Sequence, residues 1–149
     1  MSERSYESSV DVEASSASVW ALLAEVTSWP TWTPTVTKVR PLGDSRLSPG
    51  AKFEVKQPGL PKAKFTVDSC ADGQSFRWST RSNGVHSSAD HVIEVRGPNQ
   101  CRVTLKFTIA SRIVRVAWWL THKKIRHFVD LEAQSLKAAA ETNARKLKA

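Results

Sequence analysis

Cysteine is scarce: Cys70 and Cys101 are the only two in 149 residues. They can form at most one bridge, and a chain of this size needs no disulfide staple. Two free, structural thiols in a reducing compartment are expected. Neither has a second cysteine or a histidine at metal-ligand spacing, so no metal is expected. Long apolar runs are missing too. The longest, 113–120, is interrupted by Arg115 and falls far short of the roughly 20 residues that cross a bilayer. Residues 1–9 are polar and carry Glu3, Arg4 and Glu7, unlike the basic start and apolar core of a secretory signal, so a cytoplasmic location is expected. There is no nucleophile elbow Gly-x-Ser-x-Gly, no phosphate-binding glycine loop and no dinucleotide fingerprint. Hydrolase and nucleotide-dependent chemistry lose support accordingly.

What is present is ordinary globular material, 40% apolar and 24% charged, with enough chain for one core and one domain over residues 1–149. The net charge of +8 is unevenly spread. Residues 112–149 hold nine Lys or Arg against Asp130, Glu132 and Glu141, a net of +6 that leaves +2 for the first 111. A basic excess points to nucleic acid or an anionic membrane only if it is joined to a suitable surface. No nucleic-acid motif accompanies it and most aromatics sit at apparent core positions, which disfavours nucleic acid.

Residues 6–12 place Tyr6, Ser8, Val10 and Val12 on one side of a first strand. Ser15 or Ser16 then caps a helix with Val19, Trp20, Leu22, Leu23 and Val26 at helical spacing. The segment Trp29-Pro30-Thr31-Trp32-Thr33-Pro34 forms a rigid aromatic corner in which only a short helical turn fits. Six strand-like runs follow, at 36–42, 51–57, 64–70, 75–82, 85–96 and 102–110, separated by Gly, Pro, Asn or Asp. Their alternation puts one apolar face inward and sends Arg77, Arg81, Glu94, Arg102, Thr104 and Lys106 to water. Asp72-Gly73, Asn83-Gly84 and Gly97-Pro98-Asn99 are hairpin turns, so the runs form an antiparallel meander. Beyond Arg112 the period becomes helical, with Ile125, Phe128, Val129, Leu136, Ala139 and Ala140 on one face of a helix of about 20 to 25 residues. That face must lie across the apolar face of the sheet. The fold class is α+β.

This order resembles the helix-grip fold of the START/SRPBCC superfamily: a curved antiparallel sheet of about seven strands around a long C-terminal helix, with short helices after the first strand. It is most similar to the bacterial polyketide cyclase/dehydrase and lipid-transport branch. The resemblance is carried by Val10 to Val12, Ala17-Ser18-Val19-Trp20-Ala21-Leu22-Leu23, the Trp29 to Pro34 corner, Pro49-Gly50-Ala51-Lys52-Phe53 and His91-Val92-Ile93-Glu94-Val95. It implies a cavity between sheet and helix for a lipid, a polyketide or another hydrophobic small molecule, with no cofactor. The same scaffold carries both binders and enzymes, so the fold does not assign chemistry.

The inward set expected to line that cavity is Phe53, Val55, Phe65, Trp78, His91, Ile93, Leu105, Phe107 and Phe128. Such walls with a few polar groups suit a ligand, and the same residues would equally fill a plain core. His91 and Trp78 are the polar-capable members, and His91 is the candidate base should the protein act as a cyclase or dehydratase on a polyketide-like substrate. His86, five residues before His91, belongs on the opposite face, as does Asp90, which excludes a metal pair and an Asp-His pair on that strand. Trp29 and Trp32 fit an anchored turn better than a gate. Trp118 and Trp119 beside Lys123 and Lys124 form an interfacial patch suited to transient contact with an anionic membrane. The same tryptophans could instead anchor a subunit contact, so monomer and homodimer both stay open.

Overall fold

The computed structural model describes residues 2–148. Strand β1 (Ser2–Val12) leads into helix α1 (Ser16–Ala24) and a 3-10 helix (Val26–Thr31). Six more strands follow: β2 (Lys38–Pro41), β3 (Lys52–Lys56), β4 (Ala63–Ala71), β5 (Ser75–Ser82), β6 (Val85–Gly97) and β7 (Gln100–Ser111). Helix α2 (Val114–Lys148) completes the chain. The strands form one seven-stranded antiparallel sheet in the order β1-β7-β6-β5-β4-β3-β2, a meander with β1 returning beside β7. It curves around α2, helped by register shifts at Val67/Ser69 and Val95/Gly97, since a bulge bends and twists its strand.

The turns follow their residues. Asn83 at φ 51° and Gly84 at φ 78° supply the two left-handed positions of a tight hairpin that sets Ser82 opposite Val85. Ser15 caps α1, its hydroxyl accepting from the Ser18 amide at 3.1 Å. Trp29 anchors the corner as expected: it is 1% exposed and donates its indole N–H to the Leu23 carbonyl at 3.1 Å.

Helix α2 is 35 residues long, not the 20 to 25 expected, because residues 112–148 contain neither Gly nor Pro to stop it. The segment 113–120 is therefore largely helical. Val129, Ala133, Leu136 and Ala140 are buried along one stripe, and the small alanines let the helix approach β1 and β7, where its sheet contacts fall. Three polar ties fix that docking. Tyr6 donates to Asp130 Oδ1 at 2.8 Å, Lys137 donates to the Asp11 carbonyl at 2.6 Å, and the Glu13 amide donates to Glu141 Oε2 at 2.9 Å. Across the grip, Lys124 of α2 reaches the Gly59 carbonyl in the β3–β4 loop at 3.4 Å.

Burial pushes the Glu141 carboxyl up, but the Glu13 amide and the Lys137 ammonium outweigh it and hold Glu141 below the ordinary glutamate range. The folded chain thus binds this proton more weakly than the unfolded chain. The associated stability is complete above the ordinary glutamate pKa and is lost as pH falls through the lowered value. Glu141→Gln is expected to lower the thermal midpoint at neutral pH and to reduce the acid-side loss of stability, measured by thermal unfolding from neutral to acid pH. An unchanged acid limb would remove Glu141 from this role.

Candidate functional site

The inner face of the sheet is organised in cross-strand rows. One row sets Leu105, His91 and Phe76 side by side across β7, β6 and β5, and the next sets Phe107, Ala89 and Trp78. On β3 and β4, Phe53 lies opposite Phe65. Phe53, Val55, Phe65, Trp78, His91, Ile93 and Leu105 are all buried. Each points inward, so the alternation has the correct register. Phe107 and Phe128 are half-buried, as is Ile125 beside Phe128 on α2. One end of the interior is thus densely aromatic: Trp78 lies 4.9 Å from Phe65, 5.2 Å from Trp29 and 5.5 Å from Phe76. Toward Phe107 and Ile125, which pack half-buried against the core, the interior is less closed; Phe128, expected to face inward with them, instead meets the Lys124 ammonium, 5.9 Å from its ring centroid, and the ring of His127.

His91 occupies the boundary. Its ring is 2% exposed and stacks on Phe76 at 4.1 Å with planes 7° apart. Its Nε2 lies 3.6 Å from Glu132 Oε2, in contact but too long for a hydrogen bond. Glu132 Oε1 accepts from the Thr35 hydroxyl at 3.3 Å. Thr35 and Thr33 pair through their hydroxyls at 2.8 Å, and the Thr33 oxygen also accepts the Thr35 amide at 3.2 Å. Thr33 and Thr35 are each 1% exposed. A polar chain therefore runs from the aromatic corner through the helix to the sheet, inside an otherwise apolar interior. At its end, His91 Nδ1 is buried without a hydrogen-bond partner among the described residues, and so is Trp32 Nε1. Both rings pack on Trp29, at 5.5 and 5.6 Å. A buried polar atom left unpaired costs about 1–3 kcal/mol.

Sequence reasoning found His91 but not Glu132, Thr33 or Thr35. The signal for Glu132 was its spacing, three residues after Val129 and four before Leu136, which is core-facing on a helix. Asp90 pairs instead with Arg77 on the outer face, at 3.8 Å. Burial raises the pKa of Cys101, and burial followed by the neighbouring Asp72 charge raises that of Cys70. Both thiols are thus poor nucleophiles at neutral pH. Among the described residues no cluster of three or more His, Cys, Asp or Glu is placed to hold a metal.

Two clefts stand out on the surface of the described residues. One of about 620 Å³, lined in part by Trp20, Glu25, Arg46 and Asp72, is charged and wide open, poorly suited to an apolar molecule. The other, of about 430 Å³, lies between Arg4 and the α2 residues Arg115, Trp118, Trp119, His122 and Arg126. Neither includes His91.

The His91–Glu132 contact is testable by a double-mutant cycle with His91→Phe and Glu132→Gln, read by urea unfolding. Groups in contact within one network couple by about 0.5–3 kcal/mol, so a non-additivity in that range is expected. Strict additivity would show that the two side chains act independently.

The architecture is that of known helix-grip proteins. The Zhui aromatase/cyclase from Streptomyces sp. R1128 superposes with a TM-score of 0.79 at 16% identity, covering 96% of each chain. Norcoclaurine synthase from Thalictrum flavum gives 0.71 at 13% identity, over 93% of this chain and 86% of that one. A START superfamily protein from Mycobacterium smegmatis gives 0.69 at 16% identity, over 93% and 97%. Similarity at this level of identity establishes the fold. No curated protein matches the sequence itself. A family model does match, over residues 3–148, and by that match the chain belongs to the polyketide cyclase/dehydrase and lipid transport family.

Proposed function

We propose that the protein binds a small, largely apolar molecule between the sheet and α2, with the polar group of that molecule set against His91 and Trp32. The observation that carries this proposal is the pair of unpartnered buried atoms, His91 Nδ1 and Trp32 Nε1. The indole N–H requires an acceptor, and the imidazole nitrogen can serve as donor or acceptor. A carbonyl or hydroxyl on an apolar body satisfies both. Phe107 and Ile125, half-buried against the core at the less closed end, would cover that body, and Phe128, half-buried on α2, would flank it. The Zhui aromatase/cyclase and norcoclaurine synthase, by their names, act on small organic molecules within the same fold, which supports a ligand of that size class. No residue of the proposed site requires a cofactor.

One observation favours a second, enzymatic reading. Glu132 next to His91 gives the interior two convergent acid-base groups, the minimum for proton transfer. In a cyclase or dehydratase, His91 would use Nδ1 to take a proton from the carbon beside a substrate carbonyl, forming the imidazolium. Glu132 would stabilise that charge from the Nε2 side, and the Trp32 N–H would donate to the developing enolate oxygen. Confinement by the aromatic wall would align the reacting carbons.

The proposal is tested with the neutral fluorescent probe N-phenyl-1-naphthylamine. Saturable binding at one site per chain is expected, with Phe107→Gln and Phe128→Gln each weakening it by about tenfold, the effect of removing one aromatic ring that packs on the probe. Leu147→Gln, on the exposed end of α2, should leave it unchanged. Absence of saturable binding, or equal effects of all three substitutions, would refute an interior site.

A further inference from the structure

Helix α2 carries two apolar faces. Its C-terminal half buries Val129, Ala133, Leu136 and Ala140 against the fold, whereas at its start Ile113, Val116, Trp119 and Leu120 are 59%, 54%, 74% and 69% exposed. At about 100° per residue Leu120 lies roughly 200° and Ile113 roughly 180° around the helix from Ala140, so these two point away from the sheet, while Trp119 lies on the flank of that stripe and is open to water. Ile113, Val116 and Leu120, three and four residues apart, form one outward stripe. Four large apolar side chains within eight positions and open to water mark an interaction surface.

The charges around the stripe select its partner. Residues 112–129 include Arg112, Arg115, Lys123, Lys124 and Arg126 and no Asp or Glu. Arg4 from β1 joins Arg115 and Arg126 around the cleft at Trp118 and His122, which adds a cationic flank. A symmetric dimer through this face would set five cations against the same five, because a two-fold interface pairs a patch with itself. Nucleic acid would satisfy the cations but leave the aliphatic stripe exposed. An interface that is anionic at its surface and apolar beneath it satisfies both.

We infer that the first two turns of α2 dock the protein on an anionic lipid bilayer, with Val116, Trp119 and Leu120 entering the headgroup boundary and Lys123 and Lys124 meeting lipid phosphates. Trp118, expected to share this role, is half-buried and stacks with His122 at 6.3 Å. It lies about 200° around the helix from Leu120 and so does not share the outward stripe. The inference does not depend on the interior site and would hold for an empty pocket.

Sedimentation of the purified full chain with vesicles tests it. Pelleting with mixed phosphatidylglycerol/phosphatidylcholine vesicles is expected, with little on pure phosphatidylcholine, and the binding should weaken as salt rises past about 0.1 M, where the screening length falls to roughly 10 Å. Val116→Gln with Leu120→Gln should lower the partition coefficient by more than about tenfold, from the apolar area no longer buried. Lys123→Gln with Lys124→Gln should lower it by about thirtyfold through the removal of two charges. All four positions are exposed, so circular dichroism should not change; because Lys124 also reaches the Gly59 carbonyl, Lys123→Gln alone, with an unchanged thermal midpoint and about fivefold weaker binding from the loss of one charge, separates the lipid contact from that tie. Failure to pellet on anionic vesicles, equal binding to neutral vesicles, or indifference to both double substitutions would overturn the inference. So would a concentration-dependent dimer abolished by Val116→Gln with Leu120→Gln, which would assign the stripe to a second copy of the chain.

Discussion

A carboxylate shut between a helix and a sheet has lost most of its water, and it persists only where other groups replace what water supplied. Glu132 is in that position, its side chain only 15% exposed, and its partners come from separate parts of the chain. His91 is brought by the middle of the sheet, Thr35 by the connection after the aromatic corner, and Glu132 itself by the helix. Each is useful only if the other two are in register. The docking of α2 on β1 and β7 sets the depth of Glu132, and the ties at Tyr6, Asp11 and Glu13 prevent the helix from sliding or turning that side chain outward.

That constraint explains the division of the interior. Where Trp29, Phe53, Phe65, Phe76 and Trp78 meet, the aromatic packing is dense and acts as a core. Phe53, Phe65 and Trp78, expected as cavity wall, are part of this packing, beside His91 stacked on Phe76 and Trp32 packed on Trp29. Beyond His91, toward Phe107 and Ile125, the interior is less closed. A polar chain at the junction of a closely packed half and a less closed half is the arrangement the proposed binding uses, since packing fixes the direction of the polar atoms and the less closed half would receive an apolar body. Membership of the polyketide cyclase/dehydrase and lipid transport family is consistent with either a binder or an enzyme built on this junction.

Much of this architecture was legible in the sequence. Strict alternation in β5, β6 and β7 gave the inward set, including His91, and correctly turned Asp90 away from it. The hairpin residues at 83–84 marked the β5–β6 turn, and only strand limits shifted by a few residues. What was not legible depended on distance along the chain. Glu132 reads locally as one more charged residue of a basic helix, and its role appears only when β6 lies opposite. Thr33 and Thr35 resemble ordinary loop polar residues until α2 covers them. The length of α2 was underestimated because the apolar pattern that defines its C-terminal half changes face near residue 120, although nothing there breaks a helix. The same change of face leaves an apolar stripe in water.

The four histidines, His86, His91, His122 and His127, provide the most direct test of where a ligand sits, because only His91 lies in the interior. Imidazole-tuned nitrogen-15 NMR spectra recorded with and without saturating 1-naphthol, an apolar ring system with one hydroxyl, would report on all four at once. A shift of the His91 Nδ1 resonance, with His86, His122 and His127 unchanged, is the expected result. Movement of His122 alone would move the binding site to the surface cleft on α2, and no movement of His91 under saturating binding would contradict the interior site.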